Sequence, residues 1–287
     1  MVDNFQISGM PSISNKEFEI LGKFIYEQCG IKMPSSKKTM LEGRLQKRLR
    51  QLGIKSFSAY YDYVTSSHGR ENELVQMINV VTTNKTDFFR EPMHFKYLVD
   101  TVLPALSERY GCGVTKPLWI WSAGCSSGEE PYTLAMVLSD YSEACRGFKY
   151  SILGTDISMK VLEEARRAVY SEEKAVQIPP ATKKKYLMVA KDRSKRLVRI
   201  VPELRRLVKF RWLNFMERDF GMREPMDIIF CRNVIIYFDR ATQEQLINRF
   251  CKHLISGGYI FLGHSETLHG LNVPLTQVAP TVYIKTV

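Results

Sequence analysis

The sequence lacks the segments that direct a chain into or across a membrane. Its first 30 residues contain no basic stretch followed by an apolar run, which is the pattern of a secretory signal. The longest apolar stretches, such as DIIFCRNVIIYF, are short and interrupted by Arg232, whereas a membrane-spanning helix needs about 20 apolar residues. We therefore expect a folded cytoplasmic protein with no inserted segment.

Cysteine and histidine are few and are not grouped. The six cysteines form no C-x-x-C motif, and none of the five histidines pairs with them at the spacing of zinc ligands. The sequence therefore predicts reduced, packed thiols and no metal site. No convincing Ser/His or Cys/His pairing is present, which argues against a covalent nucleophile.

Acidic residues are outnumbered. The chain has 41 lysines and arginines against 30 aspartates and glutamates, a formal net charge of +11. Residues 174–211 hold 13 basic residues and two acidic ones, and residues 30–60 hold eight basic residues and only Glu42. Such surfaces attract acidic partners, which include nucleic acid, anionic lipid and acidic protein. A merely solvated surface is the other interpretation.

The first 80 residues have the pattern of short helices. Ser14 and Glu17 form a capping box ahead of apolar residues at helical spacing, and Gly30 offers a stop. A second helix is predicted between Ser35 and Gly53. Its leucines at positions 41, 45, 49 and 52 make one apolar stripe, and another face carries Arg44, Lys47, Arg48 and Gln51.

From about residue 96 the pattern changes to strands that alternate with amphipathic stretches. Such alternation predicts an α/β fold with a doubly wound, mainly parallel, Rossmann-like sheet, in which ligands bind beyond the carboxyl ends of the strands. The basic segment 172–207 interrupts this rhythm, and KYLMVA and RLVRIV within it predict a small antiparallel β insertion. The candidate strands of the main sheet are residues 118–123, 150–156, 208–215, 226–231, 259–264 and 281–286.

The first of these strands leads into an unusual turn. Residues 118–135, LWIWSAGCSSGEEPYTLA, lack the G-x-G-x-x-G pattern and open the following helix with Glu129 and Glu130. Acid at a helix N-terminus disfavours the pyrophosphate of a dinucleotide and suits a phosphate-free cation such as S-adenosylmethionine. Asp156, at the end of the next strand, is placed to bind ribose hydroxyls. Helix capping by these acids, and NAD binding, remain open on this pattern alone.

Two further stretches set polar groups beside aromatic ones. NKTDFFREP, residues 84–92, suits a site for adenine or a carboxylate, and a plain linker fits it equally well. FCRNVIIYF, residues 230–238, places Arg232, Asn233 and Tyr237 just beyond a strand, at the edge where chemistry is expected.

Five stretches in order across nearly the whole chain, NVVTTNKTDFFREPMHF, WSAGCSSGEEPYTLA, GTDIS, FCRNVIIYFDRATQ and GHSE, resemble the chemotaxis receptor methyltransferases, the CheR family. The resemblance implies an enzyme that uses S-adenosylmethionine to esterify glutamate side chains on the cytoplasmic helices of chemoreceptors and releases S-adenosylhomocysteine. Arg90 and Tyr237 are then the candidates nearest the transferred methyl group. The implied cofactor site is lined by Asn84, Thr86, Arg90, Glu130, Asp156, Asn214, Phe215, Arg232 and Asn233.

The resemblance also implies a division of the chain. We expect an N-terminal helical domain over residues 1–82, a linker at 83–95 that contributes to the cofactor site, and a methyltransferase domain at 96–287. The β insertion is expected at about 185–208. In some relatives it clamps a receptor peptide, but their glycine-containing turn is replaced here by AKDRSKR, so we expect it to bind acidic receptor surface directly. The basic residues expected to dock on acidic receptor helices are Arg44, Lys47 and Arg48.

Two other functions compete with this interpretation. A nucleic-acid methyltransferase would suit the net charge. However, amino-directed DNA enzymes carry a D/N-P-P-Y/F/W motif where this chain has CRNV, and a cytosine-5 enzyme needs a Pro-Cys pair whereas Cys231 follows Phe230. A receptor-binding module without activity is the second alternative. We expect no nucleic-acid partner, and nothing in the sequence requires more than a monomer.

Overall fold

The computed structural model describes residues 11–286, and its contacts divide the chain between Thr83 and Asn84. None of the helices within residues 11–286 is long and apolar enough to span a membrane. The part before the division is helical, as expected. Its helices are α1 (Asn15–Cys29), α2 (Lys38–Leu52), α3 (Phe57–Thr65), α4 (Ser67–Asn72) and α5 (Leu74–Val81), with a 3-10 turn at Ser35–Lys37.

Helix α1 begins and ends where its sequence predicts. The Ser14 side chain accepts the Glu17 amide, and the Glu17 carboxylate accepts the Ser14 amide, so the capping box satisfies two orphan donors. At the other end Gly30 adopts the left-handed conformation with φ 72°, which costs glycine little.

Helix α2 buries its leucine stripe and also part of its basic face. Leu41, Leu45 and Leu49 are fully buried. Arg44 donates to the carbonyls of Val81 and Thr82 at 2.6 and 3.0 Å, which satisfies the end of α5. The basic face predicted from spacing is therefore only partly a free surface.

Arg48, on the same face of α2, is paired with a buried acid. Arg48 Nε and Nη2 lie 2.8 and 2.5 Å from the carboxylate of Glu73, which is 1% exposed and also accepts the Tyr60 hydroxyl at 2.8 Å. Lys47 is exposed. Of the three residues predicted to dock on a receptor, two thus make contacts within this helical unit and one faces solvent.

After the non-helical residues 84–91, the part of the chain beyond Thr83 continues with an almost unbroken helical segment. Helix α6 (Pro92–Tyr97) passes through a π-helical turn, Leu98–Val102, into α7 (Leu103–Tyr110). The alternating pattern then begins. Its helices are α8 (Glu129–Ala144), α9 (Met159–Arg167), α10 (Pro180–Tyr186), α11 (Pro202–Arg205) and α12 (Arg240–His253).

The main sheet has seven strands and is mostly parallel, which confirms the predicted fold class. Five neighbouring strands, in the order β6-β2-β1-β7-β8, are parallel, and β10 and then β9 are added antiparallel at one edge. The predicted strand 208–215 ends at Trp212, and the one predicted at 259–264 starts at Leu254 instead. The strands are β1 (Leu118–Ala123), β2 (Tyr150–Asp156), β6 (Val208–Trp212), β7 (Met226–Cys231), β8 (Leu254–Leu262), β9 (Leu275–Ala279) and β10 (Val282–Lys285).

A second, three-stranded antiparallel sheet confirms the small β insertion. Its order is β3 (Val169–Ser171), β5 (Leu197–Ile200) and β4 (Leu187–Val189), so its first strand comes well before the predicted hairpin. The turn between β4 and β5 closes without glycine. Asp192 accepts the Ser194 amide at 3.1 Å, and Arg196 takes the left-handed conformation with φ 47°.

Candidate active site

The candidate site lies at the carboxyl edge of the central strands. Strand β1 pairs with β2 on one side and β7 on the other, and Ala123 is level with Thr155 while Ser122 is level with Phe230. The chain moves from β1 to one side of the sheet and returns to the other, so the crevice beside β1 is the topological switch point. The segments that follow β1, β2 and β7 therefore meet there.

The turn after β1 is held in conformations that favour glycine. Gly124 and Gly128 have φ of 78° and 95°, and a Cβ at Gly124 would lie 2.5 Å from the Val234 side chain. Ser126 occupies the middle position with φ 49°, although it is not glycine. Its hydroxyl donates to the carbonyl of Asn84 at 2.9 Å, which joins this turn to the predicted 84–92 segment.

Asp156 ends β2 and organises the turn. Its carboxylate accepts the amides of Ser126 and Ser158 at 2.9 and 2.8 Å. Burial raises the pKa of Asp156, and these backbone hydrogen bonds act against that shift by stabilising the anion. The side chain is thus fixed at the strand end where a ribose-binding acid is expected in this class of fold.

Glu130 and Arg232 form a buried ion pair between α8 and the end of β7. Arg232 Nε lies 2.6 Å from Glu130 Oε2, while Ser122 donates to the other carboxylate oxygen at 2.7 Å. The Arg232 side chain is 2% exposed and its guanidinium stands over the rings of Phe95 and Phe230, 5.2 and 5.7 Å from their centroids. Two predicted site residues are thereby brought into direct contact.

Arg232 also binds the 84–92 segment. Its Nη1 donates to the Arg90 carbonyl at 2.7 Å and lies 3.5 Å from Glu91 Oε2. Phe89 and Glu91 both have positive φ, 53° and 57°, a conformation that costs free energy in non-glycine residues and is held by its surroundings. The guanidinium therefore ties three separate parts of the chain together.

Glu91, His94 and His264 form a cluster of metal-ligand type that the sequence did not predict. Their candidate ligand atoms all lie within 4.8 Å of one another. However, Arg232 Nη1 lies 3.2 Å from His94 Nδ1 as well as 3.5 Å from Glu91, so a fixed cation already contacts two of the three groups. Arg232 therefore forms an ion pair with Glu91 and a polar contact with His94 within this cluster.

Glu129, the other acid of the helix start, has separate partners. Lys174 Nζ lies 2.7 Å from Glu129 Oε1, and the Ser127 hydroxyl donates to Oε2 at 2.7 Å. Glu129 is 1% exposed. Tyr170, in β3, donates its hydroxyl to the Ser127 carbonyl at 2.8 Å. The small sheet is thus bonded to the turn after β1.

The remaining predicted residues occupy two loops and the 84–92 segment. Asn214 and Phe215 follow β6; the Asn214 side chain accepts the Met216 amide at 3.0 Å, and Phe215 packs on Trp121 and Phe250. The other predicted residues, all half-buried, are Asn84, Thr86, Arg90, Asn233 and Tyr237.

One buried residue was not singled out from the sequence. Glu266, 4% exposed, lies just beyond β8 and accepts four backbone amides, two of them from Asn233 and Val234. The only signal was its place in GHSE. Position in a motif did not reveal that its partners are main-chain groups.

Two family models match the chain. The one described as CheR methyltransferase, all-alpha domain, matches residues 16–82, and the one described as CheR methyltransferase, SAM binding domain, matches residues 84–284. The chemotaxis protein methyltransferase of Borreliella burgdorferi is 41% identical over 275 residues, which cover 96% of this chain and 95% of that relative. Those of Escherichia coli and Pseudomonas aeruginosa (methyltransferase 2) are 35% and 37% identical, covering 97% and 94% of this chain and 93% of each relative.

The match to a SAM binding domain over residues 84–284 identifies the class, an S-adenosylmethionine-dependent methyltransferase, and the sheet, the turn after β1 and the acid ending β2 fit that class. The chain belongs to the CheR methyltransferase family, since family models account for residues 16–82 and 84–284 and the relatives align over more than nine-tenths of its length.

We predict that His94 makes the stability of the part of the chain after Thr83 sensitive to mild acid. Burial, followed by the charge of Arg232, lowers the His94 pKa from 6.5 to about 4, so folding keeps the ring neutral. Because the pKa of His94 is lower in the folded state than in the unfolded state, its contribution to the free energy of unfolding is fully present above pH 6.5. This contribution is lost as the pH falls towards 4. Between pH 6.5 and 5 the loss should be about 2 kcal/mol.

Urea unfolding followed by tryptophan fluorescence measures this, because Trp119, Trp121 and Trp212 all lie after Thr83. His94→Gln should flatten the dependence of unfolding free energy on pH, whereas substitution of the exposed His269 by Gln should leave it as in the wild type. Equal slopes for wild type and His94→Gln would contradict the prediction.

Proposed function

We propose that the protein transfers a methyl group from S-adenosylmethionine to side-chain carboxylates of glutamates on chemoreceptor helices, giving methyl esters. The relatives named above are chemotaxis protein methyltransferases. The choice of acceptor rests on one observation: the buried acids at the sheet edge already have hydrogen-bond partners. Asp156 and Glu266 accept backbone amides, and Glu130 is paired with Arg232. His94 is neutral and bonded to Thr281 and Arg232. Such a site suits an acceptor that needs no general base.

A glutamate is an acceptor of that kind. Its unperturbed pKa is about 4.3, so near neutral pH it arrives as an anion. An alcohol or amine acceptor needs a base to remove a proton, and the acids and imidazole described above are occupied by other contacts. The protein is left with binding, orientation and exclusion of water.

The charge of the site supports a cationic cofactor. Glu130 and Glu91 contribute two formal negative charges and Arg232 one positive charge, so the buried group retains a negative charge. When bound, S-adenosylmethionine supplies an electrophilic methyl group on sulfur, and its sulfonium and ammonium complement that charge. The residues we assign to its binding are Asn84, Thr86, Arg90, Glu130, Asp156, Asn214, Phe215, Arg232 and Asn233.

Tyr237 and Arg90 are the candidates for aiming the acceptor. Tyr237 closes the 3-10 turn Ile235–Tyr237 beyond β7, and the Arg90 main chain is anchored by Arg232. A strong ion pair with Arg90 stabilises the ionised acceptor before transfer and so adds nothing to the rate constant, whereas a single hydroxyl aligns it at less cost. We therefore assign the decisive contact to Tyr237.

The N-terminal unit offers a docking surface for acidic helices, which we place at Lys47. Arg50, three residues further along α2, is also exposed. Arg44 and Arg48 contribute less than their spacing predicts, because their guanidinium groups bind α5 carbonyls and Glu73.

The acceptor chemistry is tested with methyl-labelled S-adenosylmethionine, receptor cytoplasmic fragments and nucleic acid in one reaction. We expect label on the receptor fragment, released as methanol by mild base, because esters are alkali-labile and N-methyl groups are not. Label on nucleic acid, or alkali-stable label on protein, would contradict the proposal. Absence of any transfer would favour a binding module.

Tyr237→Phe should lower kcat by roughly 10- to 100-fold, the cost of a poorly aligned acceptor, with cofactor affinity changed less than about twofold. Stopped assays at saturating cofactor give kcat, and calorimetry with S-adenosylhomocysteine gives affinity. An unchanged kcat would remove Tyr237 from the reaction.

Lys47→Glu should raise KM for the receptor fragment roughly fivefold at low salt, and less at high salt, because exposed charges act through screened attraction. Its thermal stability should match the wild type. Arg48→Glu is the contrasting variant. It places a second carboxylate beside the buried Glu73 and should lower the free energy of unfolding by about 3–5 kcal/mol. Equal KM values for Lys47→Glu and wild type at low salt would refute docking at Lys47.

A further inference from the structure

The loop after β7 carries three of the proposed functional residues in a constrained backbone. Arg232, Asn233 and Tyr237 lie within six residues, and Asn233 has φ 59°. Left-handed backbone is uncommon outside glycine, although asparagine adopts it more readily than most residues. Contacts from outside the loop hold it in this conformation here.

The Glu266 carboxylate binds this loop by its main chain. Oε2 accepts the Asn233 amide at 2.8 Å, and Oε1 accepts those of Val234 and Ile236 at 2.8 and 3.3 Å. Oε2 also accepts the Gly263 amide at 2.6 Å. Burial raises the Glu266 pKa, and the four amides oppose that shift by stabilising the anion.

Gly263 brings the two loops into direct contact. It follows Leu262, which is level with Cys231 in the β7–β8 pair. A Cβ at Gly263 would lie 2.5 Å from Asn233 Nδ2 and 2.8 Å from its amide nitrogen. The loops after β7 and β8 are therefore joined by a carboxylate and by close packing at the same residue, Asn233.

We propose that Glu266 is a positioning residue for methyl transfer: its carboxylate fixes the loop after β7 so that Asn233 meets the cofactor and Tyr237 meets the acceptor. Both contacts rest on the proposed function, that of Asn233 on the cofactor site and that of Tyr237 on the acceptor. Only an ionised carboxylate matches these four amide donors, because each of its oxygens accepts two of them and neither oxygen carries a proton. Glutamine would turn an NH2 group towards two of those donors and leave them unpaired.

The first measurement does not depend on the acceptor. Glu266→Gln should weaken S-adenosylhomocysteine binding about tenfold in calorimetry and speed amide exchange in the peptide covering residues 232–238. Glu244→Gln is the matched control, since Glu244, in α12, also accepts a backbone amide, that of Asn272 at 2.9 Å in the loop between β8 and β9. The control should leave both quantities unchanged. Wild-type affinity and exchange in Glu266→Gln would overturn the proposal whatever the acceptor is.

The second measurement is a double-mutant cycle on kcat. Glu266→Gln should lower kcat about tenfold or more in the wild type but much less in Tyr237→Phe, because a residue that acts through Tyr237 has little to add once its hydroxyl is gone. Multiplicative effects would overturn the assignment to Tyr237. A wild-type protein that forms no ester would refute the proposed function and leave the cofactor result to decide the role of Glu266.

If Glu266→Gln fails to fold, Gly263→Ala tests the same link with the carboxylate retained. The added methyl group must displace Asn233, so weaker cofactor binding and faster exchange at residues 232–238 are expected in a variant with wild-type circular dichroism. Unchanged values in folded Gly263→Ala would overturn the proposal.

Discussion

The arrangement of the site depends on one buried ion pair, that between Arg232 and Glu130. A guanidinium that is 2% exposed loses its hydration, and this loss is offset only because Glu130, the Arg90 carbonyl and two aromatic faces replace water. Removing one partner leaves an unpaired buried charge, which typically costs about 3–5 kcal/mol. The pair joins the end of β7, the start of α8 and the 84–92 segment, so the shape of the crevice follows from it.

Three of the central strands could be predicted from the sequence: β1, β2 and β7 match the predicted ranges. Strands β1 and β7 are mostly apolar, as is usual for strands covered on both faces, whereas β2, YSILGTD, has only a short apolar centre. Strand β9 was missed because it lies at an edge and is largely exposed, which leaves no apolar pattern. The helical segment 92–110 was missed as well. Its prolines suggest breaks, yet Pro92 stands in the first turn, where the missing amide costs nothing, and Pro104 lies just after the π-helical turn Leu98–Val102.

The candidate site was predictable where chemistry and backbone position coincide. Asp156 ends β2, Arg232 directly follows β7 and Glu130 lies in the first turn of the helix after β1, so the topology places all three at one edge of the sheet. Pairing of charges across long separations was not predictable in this way. Arg48 is 25 residues from Glu73, and Lys174 is 45 residues from Glu129. Spacing places a charge on a helix face, but it does not say whether that face meets solvent or a buried acid.

The bond between Lys174 and Glu129 bears on how this fold can diversify. The small sheet is inserted between β2 and β6, so it can be exchanged without interrupting a strand of the main sheet. Yet Lys174, just after β3, pairs with Glu129 at the start of α8. Tyr170 of β3 donates its hydroxyl to the Ser127 carbonyl in the turn after β1. A transplanted insertion must therefore bring both an ammonium and a phenol to the same places, or the turn after β1 and the start of α8 lose these two bonds.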